Sequence, residues 1–138
     1  MSFPESLYEF FEEYSAFLEE MESVQKEKLE SVLSGDLPRM ERSIKSQQAY
    51  AMRLENIENR RIRLQKEAGF ADMTFSQIVD NVSPEKRNDL RALFSRAQNA
   101  LSNIKYLNEK ALTVAREKLR TIELDVADSN RFNIETNA

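Results

Sequence analysis

Six glutamates, Glu9, Glu12, Glu13, Glu19, Glu20 and Glu22, crowd the start of the chain. Carboxylates gathered on helices are how di-iron sites are built, but those sites pair inward glutamates with a nearby histidine. This chain has no histidine and no cysteine, which removes imidazole acid–base catalysis, thiol chemistry, disulfides and ordinary zinc sites together. It carries no glycine-rich phosphate loop, no nucleophile elbow and no metal-ligand spacing. The glutamates therefore read as a solvated helix face, and no catalytic residue, metal or cofactor is expected. The chain is not read as an enzyme.

A second charged group, Arg60, Arg61, Arg63 and Lys66, invites a nucleic-acid reading. With no interleaved aromatic or glycine, and a net charge of -4, it does not carry one. The distribution of charge says more. Residues 1–36 hold ten acids and two bases, 37–69 hold eight bases and four acids, and 84–120 hold nine bases and four acids. An acidic first helix lying against two basic ones is the expected use of that asymmetry, although exposed pairs contribute only about 0 to 1 kcal/mol each.

The elements that would carry these charges are helices. The two glycines, Gly35 and Gly69, each follow a long stretch of heptad-spaced apolar residues, where a helix needs a left-handed terminal residue. The first stripe is Leu7, Phe10, Tyr14, Phe17, Met21 and Val24, widened by Phe11 and Leu18, with Ser2 expected as its cap. Asp36 and Pro38 open a second helix with the stripe Leu37, Met40, Ile44, Ala51, Leu54, Ile57, Leu64 and Ala68, in which Gln47 and Arg61 are boundary residues. Thr74 and Gln77 have capping-box spacing for a short helical insert, and Ser83-Pro84-Glu85 opens a third long helix. Its stripe is Leu90, Leu93, Ala97, Ala100, Ile104, Leu107, Ala111 and Val114. The expected fold is all-α: an antiparallel helical hairpin plus a longer third helix, an elongated coiled-coil-like three-helix bundle, with helices at about 3–34, 37–68 and 84–127 and an insert at about 74–81. Residues 1–127 are expected to form one domain and the polar tail 128–138 to be disordered. No window is apolar enough to span a bilayer and no basic-then-apolar leader is present, so no membrane insertion and a cytoplasmic location are expected.

One stripe suffices for packing on a hairpin, yet the third helix carries a second line: Phe94, Leu101, Leu112, Ala115, Leu119, Ile122 and Val126. At ~1.5 Å per residue it outruns its partners, and residues beyond about Glu117 should pass the hairpin turn. Leu112, Ala115, Leu119, Ile122 and Val126 are therefore the expected partner-binding residues. The competing use of the same line is a homodimer seam.

The run L-E-N-I-E-N-R-R-I-R-L-Q-K-E-A-G at Leu54 to Gly69, a short irregular insert, and the third helix with N-I-K-Y-L-N-E-K-A-L inside it together resemble the FlgN family of bacterial flagellar export chaperones. The resemblance spans roughly residues 7–124. It implies a cytoplasmic chaperone that binds the C-terminal segments of hook-associated (hook-filament junction) proteins, prevents their premature assembly and delivers them to the export gate. The alternatives are a coiled-coil adaptor or scaffold that holds no client, and a chaperone of a related secretion system.

Overall fold

The computed structural model describes residues 2–137, with side-chain burial described through Arg131. Four helices follow in order: α1 (Glu5–Ser34), α2 (Leu37–Glu67), the short α3 (Phe75–Asn81) and α4 (Pro84–Asn137). Helix takes up the chain, and among the described residues there is no strand.

The breaks follow local chemistry. Gly35 takes the left-handed conformation, φ 68°, that ends α1, and two residues later Asp36 and Pro38 begin α2, with the Asp36 carboxylate accepting from the Arg39 amide at 3.2 Å. At the end of α2 the Phe70 amide reaches back to the Gln65 carbonyl and the Gly69 amide to that of Lys66, a Schellman closure that needs the positive φ of Gly69, 86°. Thr74 and Gln77 form the expected reciprocal capping box on α3. One expectation fails. Ser2 does not cap α1, which starts at Glu5 behind Pro4 with no side-chain cap, because the proline already fixes an extended entry. Helix α4 runs on to Asn137, with no glycine or proline after Pro84 to interrupt the backbone ladder; Ala138 lies outside the described residues.

Helix α1 is central. Paired contacts such as Tyr14 with Glu58, Gln25 with Gln47 and Arg39 with Glu27 run in opposite senses along α1 and α2, which are therefore antiparallel. Ser15 with Leu93, Lys28 with Asn108 and Leu33 with Lys118 advance together, so α4 runs parallel to α1. Both partners receive ion pairs from the acidic helix: Glu13 with Arg60, Glu20 with Arg53 and Glu27 with Arg39 on α2, and Glu19 with Arg96 on α4. The charge asymmetry of the sequence is thus spent inside the fold. Among the described residues the backbones of α2 and α4 do not approach each other closely, so the two helices flank α1 with a trough between them.

The core is concentrated at one end. Phe11 is wholly buried and meets Phe94 edge-on at 5.0 Å, Phe75 stacks on Phe94 at 4.5 Å, and Phe3 and Phe70 close the cluster. Phe11 and Leu18, which the heptad spacing makes secondary, are more deeply buried than Phe10 or Met21. The principal stripe of α4 is buried through Ala111 apart from half-buried Leu107. The stripe of α2 is not: Leu37, Ile44 and Ala51 are exposed and only Ile57 is fully buried, because α2 touches one long neighbour and needs only a narrow face. Ser43, Gln47, Tyr50 and Gln65 take the inward positions instead.

Candidate binding surface

The expected partner-binding residues lie where α4 leaves its support. The Lys118 ammonium donates to the Leu33 carbonyl at 3.1 Å, which sets the last turn of α1 level with residues 117–118 of α4. From Leu119 to Asn137 the helix continues for about 28 Å at ~1.5 Å per residue. On this stretch and the turn before it, Leu112 is 51% exposed, Leu119 56%, Ile122 58% and Val126 54%, with Ala115 also exposed between them. Spaced 3, 4, 3 and 4, the five side chains form one continuous face. A single exposed leucine needs no explanation, but a row of this length does.

Part of that face is a wall. An open groove of about 790 Å³ is lined on α4 by Val114, Ala115, Leu119 and Ile122 and on the hairpin turn by Val32, Leu33, Leu37 and Met40. The structure brings Ala115, Leu119 and Ile122 into this groove and leaves Leu112 and Val126 outside its lining. The α2 residues that failed to enter the core, Leu37 and Met40, are its opposite wall. Periodicity alone assigned them inward; the missing signal was that α2 and α4 do not meet.

Towards the aromatic end the same trough opens into a second cavity of about 810 Å³, lined by Ile62, Lys66, Met73, Phe75 and Leu101 among others. Its floor is held by Gln65, which the sequence did not single out. The Gln65 amide donates to the carbonyls of Phe70 and Met73 at 3.1 and 3.2 Å, and its oxygen accepts from Arg61 at 2.7 Å. A buried amide with all its polar atoms used is a fastener, here tying the loop after Gly69 to α2.

Burial, together with the hydrogen bond to Glu58, pushes the Tyr14 hydroxyl far above the ordinary tyrosine range, so it stays a neutral donor at 2.8 Å. Tyr8, at the rim of the aromatic end, is raised by desolvation and then by Glu12, Asp89 and Glu5. The Arg39 hydrogen bonds hold the Glu27 carboxyl below its usual value on an exposed surface. Among the described residues no group of three or more acidic side chains is placed to hold a metal ion, and no helix is long and apolar enough to cross a membrane. Asn108 accepts from the Lys28 ammonium at 3.3 Å, a polar contact between α1 and α4.

Comparison with known proteins supplies the family. The sequence matches the family described as FlgN protein over residues 1–131. The chain belongs to the FlgN family. That match covers α1, α2 and α4 as far as residue 131, including the α4 stripe, and carries the general role of a flagellar export chaperone. No curated protein and no solved structure matches the chain. The all-helical FlgN chain is thus built around an acidic central helix, with a row of exposed apolar side chains on α4.

Proposed function

We propose that this chain is a cytoplasmic chaperone for hook-associated proteins, binding their C-terminal helical segments through Leu112, Ala115, Leu119, Ile122 and Val126, preventing premature assembly and delivering them to the export gate. The observation that carries this reading is the half-exposed aliphatic face continuing past the end of α1. Subunits that polymerise keep amphipathic termini unfolded until assembly, and such a segment recovers a groove by laying its apolar side along a spare helix face. Fully burying an aliphatic side chain is worth about 1.5 to 3 kcal/mol, and these five begin half-buried. After ordering and association costs, an affinity of roughly micromolar to sub-micromolar follows.

Calorimetric titration of the full chain with C-terminal segments of hook-associated proteins tests the reading. Saturable one-to-one binding, lost in Leu119→Asp while far-UV circular dichroism stays unchanged, is the expected result. Full binding by Leu119→Asp would remove the α4 face from the mechanism, and absence of heat with every segment would remove this client class.

A further inference from the structure

The α4 face carries charges in a self-complementary order. With Leu112, Leu119 and Val126 as heptad a positions and Ala115 and Ile122 as d, the flanking e positions are Arg116 and Glu123 and the g positions are Lys118 and Asp125. All four are exposed, and among the described residues none belongs to an ion pair; Lys118 reaches only the Leu33 carbonyl. This contrasts with α1, whose glutamates are answered across both of its interfaces.

Antiparallel coiled helices set e against e and g against g, whereas parallel ones set g against the following e. In the antiparallel case Arg116 faces Glu123 of a second copy and Lys118 faces its Asp125, and two-fold symmetry repeats each pair. In the parallel case only Lys118 and Glu123 meet, and Arg116 and Asp125 find no opposite charge. The antiparallel register also sets Leu119 against Ile122 of the second copy and Ala115 against its Val126. It carries the second α4 back toward Leu112, beside the groove whose far wall is Leu37 and Met40.

We propose that two copies of this chain pair antiparallel through residues 112–129 of α4 when no client is bound, each copy masking the other's stripe. The pairing stands on charge order and exposure alone; its role as a mask rests on the client reading given above. A client helix and a second copy then compete for one face, and client capture converts a homodimer into a one-to-one complex.

Light scattering and sedimentation of the full chain across a dilution series test the pairing without any client. The wild type is expected to be a dimer that dissociates on dilution. Arg116→Glu and Glu123→Arg should each weaken it roughly ten-fold or more, by turning two attractive pairs repulsive, with helicity unchanged because both positions are exposed. An equimolar mixture of these two variants should recover the dimer, since opposite charges meet again at both pairs. A chain that stays monomeric at every concentration, or a dimer indifferent to Arg116→Glu, would overturn the proposal. Client binding by a strictly monomeric chain would overturn the pairing and spare the client reading, whereas a dimer that binds no client segment would do the reverse.

Discussion

Where Phe3, Phe11, Phe70, Phe75 and Phe94 meet, α1 is enclosed by aromatic rings from the loop, the insert and α4. Near the hairpin turn the same helix is covered by polar contacts, Gln25 with Gln47 and Lys28 with Asn108, and a buried Ser43 hydroxyl finds no partner among the described residues. Apolar burial is the dominant favourable term in folding, so the first region holds the molecule together. In the second, the apolar side chains that could have closed a core, Leu37, Leu112, Leu119 and Ile122, face outward. On the proposed function the two tasks are separated along the length of the molecule: one end is packed for stability, the other is left for a client helix to complete.

Substitutions at the two ends should expose that separation. Phe11→Ala removes the most enclosed ring of the cluster and should cost about 3 to 5 kcal/mol in chemical denaturation; Leu119→Asp, by contrast, should leave the denaturation midpoint nearly unchanged. Gln65→Leu strands the Met73 carbonyl and leaves the Phe70 carbonyl with the Met73 amide alone, and should lower stability by about 2 kcal/mol by the same measurement. Ser43→Ala should do the opposite, raising stability by up to about 1 kcal/mol, because it removes a buried hydroxyl without a partner. The smallest effects come from pH. Tyr14 is held neutral in the folded state, so its stabilising contribution is complete below the ordinary tyrosine value of about 10 and is lost as pH rises above it. Thermal melts of wild type and Tyr14→Phe should diverge less as pH rises through that range. Glu27 has the reverse sign, since its depressed value makes the Arg39 clamp effective above the usual carboxylate range and lost as pH falls through it.

How far these features could be read from the residues differed by element. The helix breaks were legible because Gly35, Asp36, Thr74 and Gln77 act through backbone bonds a few residues away, and all four perform as their spacing predicts. The principal stripe of α4 was legible because it packs along one long neighbour, α1, with only the short α3 beside it. The stripe of α2 misled, because periodicity reports that a face is apolar without reporting what lies opposite, and here Leu37 lines an open groove and Ile44 is exposed. Gln65 was invisible for a related reason: its partners are carbonyls of a loop whose path the sequence does not display.

Amide hydrogen exchange of the full chain with and without a hook-associated C-terminal segment, at a concentration where the free chain is monomeric by light scattering, tests the division between the two ends most directly. Protection gained across residues 112–126 of α4 and the facing turn at 32–40, with the aromatic end unchanged, is the expected result. Protection gained around Phe11 and Phe94 while residues 112–126 continue to exchange freely would contradict it.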